Sequence, residues 1–306
     1  MFKFNFEVND SDSSDNAESP FKKPKVEQKI NSDSEKEEII LWYQAEQIKP
    51  TKAILQSLDL YELNAKELTF EDVELRHIIA GFLLEDIKRN SDVDSQDIKK
   101  SEESHSDLIA GVYEGGAKIW ECTDDLLKYL FKNYEKKHWE NKLVLDLGCG
   151  SGLLGIYAMK CGAKVDFQDY NKDVLEKITI PNVLLNLNET LTDNEKIDQL
   201  QKKSNFYAGD WSHYAKLTEN LEKYDIIMTS ETIYNMENQQ KLLDTFRKRL
   251  KSDGIVLLAA KSHYFGVGGG LEQFVEFVKS GKDFQSTYLW QADENLKRGI
   301  IELKLH

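Results

Sequence analysis

A glycine-rich turn behind a short apolar segment is the feature that most constrains the fold of this chain. Residues 143–147 are apolar apart from Asp146, and three alternating glycines follow them, Gly148, Gly150 and Gly152. A strand that enters a helix through such a turn brings the backbone close to a bound nucleotide, because glycine has no side chain to block the approach. The sequence therefore predicts a nucleotide-binding α/β unit centred on this turn.

Strands and helices alternate around this turn and along the rest of the chain. Strands are predicted at 143–147, 164–168, 205–208, 224–229, 254–260, 284–290 and 299–305. Helices are predicted at 121–137, 152–161, 171–178, 237–250 and 270–280. This alternation is typical of a parallel, doubly wound, Rossmann-like sheet, here with seven strands. The last two strands have a short connection, which favours an antiparallel hairpin at one edge, because a parallel crossover needs more chain.

The N-terminal third of the chain is acidic. Residues 1–110 carry 25 Asp and Glu against 14 Lys and Arg, a net charge of −11 out of −14 for the whole chain. Residues 9–38 are polar and poor in apolar side chains, which predicts disorder. An acidic arm suits a basic partner, but it is also the ordinary composition of a solvated surface.

The remainder of this N-terminal part contains patches of helical spacing. Residues 39–90 include Leu75, Ile78, Ile79, Phe82 and Leu83 at helical intervals, and residues 91–106 have the polar composition of a linker. We therefore expect two parts. Residues 1–106 would form an acidic extension, partly disordered with helical patches, and residues 107–306 would form the catalytic domain.

The cysteines and the N-terminal segment indicate in which cell compartment the protein acts. None of Cys122, Cys149 and Cys161 belongs to a C-x-x-C pair, so neither a disulfide framework nor a metal site is predicted. Residues 1–10 do not resemble a signal peptide, and no apolar run approaches the roughly 20 residues of a membrane span. The basic cluster at residues 21–25 is either a nuclear-import signal or charged linker. We expect a protein of the cytoplasm and nucleus with no membrane partner.

Acidic residues near the turn indicate which nucleotide binds. Residues 150–155 also fit the dinucleotide pattern G-x-G-x-x-G, so the glycines alone do not decide. Asp146 can orient the turn and face an ammonium group, whereas a pyrophosphate prefers bare N–H groups at a helix start. This favours S-adenosylmethionine. Asp169 can accept from the ribose hydroxyls of either cofactor. An NAD-dependent oxidoreductase stays as an alternative, although no hydride-handling residue is identifiable.

Further polar residues follow the later strands, at the edge where open α/β sheets bind ligands. Asp210 is placed to accept from the adenine amino group, and Trp211 is either a wall for the base or a core aromatic. Residues 230–235, Ser-Glu-Thr-Ile-Tyr-Asn, are a candidate substrate side of the pocket. Their alternative interpretation is a plain loop in which Ser230 or Asn235 caps a helix.

Two more segments belong near this edge. Residues 115–123 contain a double glycine and Trp120, which suggests a segment folded over the pocket. Residues 261–270 end in a glycine-rich loop that is either mobile or closely packed. His263 in this loop has no nucleophile to pair with, so we expect it to be structural or substrate-positioning.

Several of these motifs together resemble the seven-strand methyltransferases that modify proteins. The motifs are Asp146-Leu-Gly-Cys-Gly150, Gln168-Asp-Tyr-Asn171 and Ser230-Glu-Thr-Ile-Tyr-Asn235. Further motifs make residues 104–306 similar, within that group, to the protein-histidine N-methyltransferases that modify large-subunit ribosomal protein L3. These are Ser106-Asp-Leu-Ile109, Val112-Tyr-Glu-Gly-Gly116, Lys118-Ile-Trp-Glu-Cys-Thr123, the glycine-rich segment 261–270 and the opening Phe2-Lys-Phe-Asn-Phe6.

This resemblance implies S-adenosylmethionine as the methyl donor and a protein histidine as the acceptor, at the ring nitrogen remote from the backbone (tele). By position it assigns cofactor contacts to Ile119, Trp120, Glu121, Cys122, Thr123, Gly148, Gln168, Asp169, Tyr170, Gly209, Asp210, Trp211 and Ser230. The residue-type argument adds Asp146 and Gly150 to that set.

A histidine acceptor needs little activation, because its neutral ring is abundant at neutral pH. The enzyme must align the reacting atoms and fix the tautomer, for which Glu231, Tyr234 and Asn235 are the candidates. A lysine acceptor, or a non-catalytic ribosome-assembly role, stays open, because fold does not fix function. No basic patch with interleaved aromatics supports direct nucleic-acid binding, and we expect a monomer that meets a ribosomal protein or pre-ribosome.

Overall fold

The computed structural model of this protein describes most of the chain beyond residue 40. The described residues are 41–70, 73–79, 81–83, 85, 96–109, 111–292 and 297–306. The predictions made for residues 9–38 and for the basic cluster at 21–25 lie outside these residues.

Ten strands occur among the described residues. In chain order they are β1 (Glu46–Ile48), β2 (Ala65–Phe70), β3 (Val73–Ile78), β4 (Leu143–Leu147), β5 (Lys164–Asp169), β6 (Ser204–Ala208), β7 (Tyr224–Ser230), β8 (Leu250–Lys261), β9 (Phe284–Gln291) and β10 (Arg298–Leu305). Eight of them form one sheet in the order β1-β6-β5-β4-β7-β8-β10-β9, and β2 pairs with β3 in a separate hairpin.

The main sheet confirms the predicted α/β class. Strands β4 to β8 are parallel, and β10 runs antiparallel between β8 and β9, which makes the predicted edge hairpin. The eighth strand was not predicted. It is β1, from the acidic extension, and it pairs antiparallel with β6.

The α-helices flank this sheet. They are α1 (Leu58–Leu63), α2 (Gln96–Glu103), α3 (Glu121–Asn133), α4 (Leu153–Lys160), α5 (Lys172–Val174), α6 (Ile180–Leu185), α7 (Asp193–Lys203), α8 (Trp211–Leu217), α9 (Gln239–Arg249) and α10 (Leu271–Ser280). A π-helical turn, Leu175–Thr179, joins α5 to α6. None of the described helices is long and apolar enough to cross a membrane.

Two apolar cores lie on opposite faces of the sheet, because successive side chains of a strand point to opposite faces. In β4, Val144 belongs to one buried cluster, whereas Leu145 and Leu147 belong to the other. A strand buried on both faces reads as a nearly continuous apolar run. Asp146 interrupts that run, and it occupies a site of its own below the glycine turn.

The extension is folded onto this sheet, and two predictions for it are wrong. Leu75 and Ile78 lie in β3, not in a helix, and they are buried. Residues 91–106 are not only a linker, because they contain α2. Asp173 anchors that helix, since its Oδ2 accepts from the backbone N–H groups of Asp97 (3.1 Å) and Ile98 (3.0 Å). A carboxylate at a helix start satisfies N–H groups that have no partner within the helix.

The burial of β3 predicts that the extension contributes to global stability. Leu75 is completely buried, so Leu75→Ala is expected to lower the free energy of unfolding by about 2–5 kcal/mol through lost packing and a residual cavity. The matched control is Leu63→Ala, because Leu63 is 85% exposed. Urea unfolding followed by circular dichroism measures both. Equal stabilities of the two variants would show that the hairpin does not belong to the cooperative core.

Candidate active site

The candidate active site is a cleft at the carboxyl ends of the parallel strands. It encloses about 750 Å³, including open space at its mouth. Residues from the ends of β4, β5, β6 and β7 meet there, as expected for a doubly wound sheet. Its walls include Trp42, Glu114, Gly116, Lys118, Trp120, Thr123, Gly148, Gly150, Asp169, Tyr170, Gly209, Asp210, Trp211, Ser230, Glu231 and Tyr234.

The glycine turn forms the floor of the cleft. Gly148, Gly150 and Gly152 all have positive φ angles, of 65°, 48° and 74°, which side chains rarely tolerate. A Cβ atom on Gly148 would also lie 2.7 Å from Thr232 Cγ2. The turn therefore needs glycine for its conformation and for space.

Asp146 supports the turn from below and does not face the cleft. Its Oδ2 accepts from the N–H of Gly155 at 2.8 Å, and the residue is 1% exposed. Burial raises the pKa of this carboxyl to about 8, although the bond from Gly155 opposes the shift. The expectation that Asp146 faces the ammonium group of the ligand therefore needs correction: its contact is with helix α4.

Asp169 stands between the turn and the cleft. Its Oδ2 accepts from the N–H of Gly150 at 2.8 Å, and its Oδ1 accepts from the N–H of Asn171 at 3.1 Å. Burial raises its pKa to about 6, against the lowering effect of these N–H groups. Each carboxylate oxygen has a second lone pair, so Asp169 can still accept from a ribose hydroxyl.

The end of β6 carries the next predicted contacts. Asp210 caps α8, because its Oδ1 accepts from Ser212 N–H at 2.9 Å, and its Oδ2 pairs with Lys241 Nζ at 2.9 Å. Trp211 lines the cleft and also packs against a core, so its position is compatible with either predicted role. Gln168 is fully buried behind them; its amide donates to Gly209 O (2.7 Å) and accepts from Trp211 Nε1 (3.1 Å).

Only part of the predicted segment 119–123, which precedes β4, reaches the cleft. Trp120 and Thr123 line it, and the Thr123 hydroxyl lies 2.8 Å from that of Ser230. Ile119 and Glu121 point to solvent, and Cys122 is completely buried in the core. The predicted contacts at Ile119, Glu121 and Cys122 are therefore not part of the cleft wall.

Glu231 combines backbone strain with one carboxylate oxygen that has no hydrogen-bond partner. Its φ angle is 59°, a conformation that is costly for a residue with a side chain and that tends to occur at functional sites. Its Oε1 accepts from Cys122 N–H at 3.4 Å and lies 3.9 Å from Lys261 Nζ. Its Oε2 is buried and has no hydrogen-bond partner. A buried acceptor without a donor is expensive unless a ligand supplies one.

Tyr234 and Glu114 form a second polar pair on the same wall. The Tyr234 hydroxyl donates to Glu114 Oε2, while Glu114 Oε1 accepts from Gly111 N–H at 3.0 Å. Burial raises the pKa of both groups. Glu114 had no predicted role, although it belongs to the motif at residues 112–116 that contributes to the family resemblance.

Asn235 lies outside this arrangement. Its Oδ1 accepts from Glu237 N–H at 2.9 Å and caps the short helix Met236–Asn238. Asn235 therefore has the helix-capping role that was the alternative interpretation of residues 230–235, and its predicted catalytic role is wrong.

The charge of the cleft fits a cationic donor. Four carboxyl groups line it, those of Glu114, Asp169, Asp210 and Glu231, against one cation, Lys118. Such a lining suits a sulfonium amino acid better than a pyrophosphate, which needs N–H groups and cations. Together, the sheet order, the glycine turn and this lining define the class of the protein: an S-adenosylmethionine-dependent methyltransferase of the seven-strand type.

Comparisons with known proteins agree with this class. A family model described as lysine methyltransferase matches residues 101–279. The histidine protein methyltransferase 1 homolog of Bos taurus is 45% identical over 264 residues, which cover 80% of this chain and 70% of the cattle protein. The homolog of Mus musculus is 48% identical over 222 residues, 67% of this chain and 61% of the mouse protein.

Two more distant likenesses are a fission yeast protein and a solved bacterial structure. Histidine protein methyltransferase 1 of Schizosaccharomyces pombe is 30% identical over 70% of this chain and 72% of its own length. A solved TehB-like SAM-dependent methyltransferase from Corynebacterium glutamicum matches 60% of this chain and 96% of its own, with 14% identity and a TM-score of 0.40. This chain belongs to the histidine protein methyltransferase family, and it is a protein methyltransferase that uses S-adenosylmethionine.

The position of Asp169 predicts that donor binding weakens in acid. If only the carboxylate accepts the ribose hydroxyl, affinity for S-adenosylhomocysteine falls as pH drops below the pKa of about 6, by about tenfold at one pH unit below it. Isothermal titration calorimetry between pH 5 and 7.5 measures this dependence. Asp169→Asn should bind more weakly and lose the dependence. An unchanged pH profile in that variant would assign the titration to another group.

Proposed function

We propose that this protein transfers a methyl group from S-adenosylmethionine to the tele nitrogen of a histidine side chain in a protein substrate. The buried, unpartnered Oε2 of Glu231 on the cleft wall is the observation that carries this proposal. The relatives in cattle, mouse and fission yeast support it, since each is named a histidine protein methyltransferase.

The geometry suits an imidazole acceptor. A neutral imidazole has one N–H group and one nitrogen with a free lone pair, and only the latter attacks. If the acceptor's Nδ1–H donates to Glu231 Oε2, its Nε2 lone pair is free to face the donor. Glu231 then satisfies its own orphan oxygen and fixes the tautomer in one contact.

The remaining steps need alignment more than acid–base catalysis. The bond between Nε2 and the methyl carbon forms as the bond between that carbon and the sulfonium sulfur breaks, and the sulfur takes the electron pair. The product imidazolium then loses its Nδ1 proton, for which the Glu231 carboxylate is the adjacent acceptor. Tyr234, fixed by Glu114, walls the same side and limits the poses of the incoming ring.

A lysine acceptor is the second candidate, because the matching family model is described as lysine methyltransferase. A lysine is charged at neutral pH and must lose a proton before it attacks. The four carboxyl groups of the cleft would stabilise its ammonium form and oppose that loss. The acidity of the site therefore favours a group that is already neutral.

For the substrate we propose a basic protein, and specifically large-subunit ribosomal protein L3, free or within a pre-ribosome. The net charge of −14 supports a cationic partner. The family resemblance supports L3, and we propose that the protein acts as a monomer in the cytoplasm and nucleus.

Identification of the methylated amino acid tests the acceptor directly. Incubation with tritiated donor and extract from cells lacking the protein should yield labelled tele-methylhistidine after hydrolysis. The rate should rise with pH through about 6.5, the pKa of an unperturbed histidine, and then level off. Labelled methyllysine, with a rate that still rises above pH 9, would establish the alternative.

The proposed role of Glu231 predicts a loss of turnover without a loss of donor binding. Glu231→Gln places an amide where the carboxylate accepts the imidazole N–H, so kcat should fall by about 100-fold or more. The affinity for S-adenosylhomocysteine should stay within a factor of two. Glu237→Gln, at an exposed position nearby, is the matched control and should keep full activity. A Glu231→Gln variant with normal kcat would remove Glu231 from the mechanism.

A further inference from the structure

A segment of the extension, residues 42–48, runs along one wall of the cleft. It precedes the part of the chain matched by the family model, which starts at residue 101. Strand β1 pairs with β6 in the register Glu46↔Ala208, so its start lies beside the end of β6. The chain before β1 is thereby directed to the cleft edge, and Trp42 lines the cleft itself.

Backbone contacts fix this segment to the loop after β6. The N–H of Asp210 donates to Tyr43 O at 3.0 Å. Gly209 has a φ angle of 106°, and a Cβ atom there would lie 2.6 Å from Gln44 O. The approach of the two chains therefore requires a glycine at this cofactor-contact position.

Tyr43 joins the segment to two other parts of the site. Its ring stacks on Tyr170 with a centroid distance of 4.9 Å and an interplanar angle of 8°. Its hydroxyl donates to Asp97 Oδ1 at 3.2 Å, at the start of α2. The Tyr170 hydroxyl in turn donates to Gly111 O at 2.7 Å. Tyr43 thus links the start of α2 to the cleft residue Tyr170.

The Trp42 ring is held by a cation and an aromatic edge. Lys241 Nζ lies 3.6 Å from its ring centroid, and the Tyr170 ring meets it edge-on at 5.8 Å. The same Lys241 Nζ lies 2.9 Å from Asp210 Oδ2. The indole therefore has a defined place next to Asp210 and Tyr170, the residues that follow β6 and β5.

We propose that Trp42 is the outer wall of the nucleobase end of the donor site, and that Lys241 is a positioning residue that holds the indole against Asp210. An indole beside a purine supplies a large apolar surface without a requirement for a particular hydrogen bond. The acidic extension then completes the donor site, and residues 107–306 alone lack that wall. This inference depends on the donor and not on the identity of the acceptor.

Calorimetric titration of the full-length protein with S-adenosylhomocysteine tests the proposal. Trp42→Leu keeps apolar bulk but removes the aromatic ring, so Kd should rise about tenfold, in line with measured losses for a base stacked on an aromatic side chain. Trp42→Phe should stay within about threefold of wild type, because a ring remains. Trp290→Leu is the matched control, since Trp290 is also half-buried but lies in β9, away from the cleft, and it should bind normally.

A second variant keeps the test decisive if Trp42→Leu does not fold. Lys241→Met removes the cation above the indole and should weaken S-adenosylhomocysteine about fivefold, within the range of a cation–π contact. Wild-type affinity in whichever of the two variants folds would overturn the proposal. These outcomes are separate from the acceptor question, since a protein that methylates lysine would give the same titrations.

Discussion

Hydrogen bonds between buried carboxylates and backbone N–H groups hold the cleft in shape. Asp146 accepts from Gly155, and Asp169 accepts from Gly150 and Asn171. The Asp169 bond ties the glycine turn to the end of β5, and the Asp146 bond ties β4 to helix α4, so the floor of the cleft is set before any ligand enters. A preformed site loses less entropy on binding than one that has to be ordered. Burial raises the pKa of both aspartates although these bonds act to lower it, so desolvation outweighs the hydrogen bonds.

The two sides of the cleft above this floor have different proposed roles. The β5 and β6 ends, with Trp42, form the side proposed for the donor, and Glu231, Tyr234 and Glu114 form the side proposed for the acceptor. Glu231 adopts a strained backbone angle and keeps one oxygen without a donor. Both features cost folding free energy, and such costs concentrate where a ligand or a reaction needs the geometry. The carboxyl groups on this side favour an acceptor that is already neutral over one that must lose a proton.

The sequence predicted the parts of the fold in which local pattern and tertiary structure agree. Some strands of the main sheet contain apolar runs, such as residues 255–260 in β8, and the alternating glycines identify the turn at Gly148 by residue type alone. The sequence-based prediction was wrong for Leu75 and Ile78. Their spacing of three residues is typical of a helix, but this segment forms strand β3, in which buried and exposed residues largely alternate. Helix α7 was missed because it is polar, with only Ile197 and Leu200 buried. At the site, the predicted contact at Cys122 was wrong, because Cys122 lies on the buried face of α3. Trp42 could not be placed, because its position depends on pairing between strands 160 residues apart in the chain.

The pairing of β1 with β6 has a second consequence, for the behaviour of the chain in solution. An uncovered strand at the border of a sheet offers unpaired N–H and C=O groups to any neighbouring chain. Strand β1 is three residues long, yet it occupies the border of β6 from Phe206 to Ala208. Proteolytic loss of this strand would open a ready template for intermolecular pairing. While it is present, the segment that contains β1 therefore protects the protein from self-association. Its removal would be seen first as a loss of solubility.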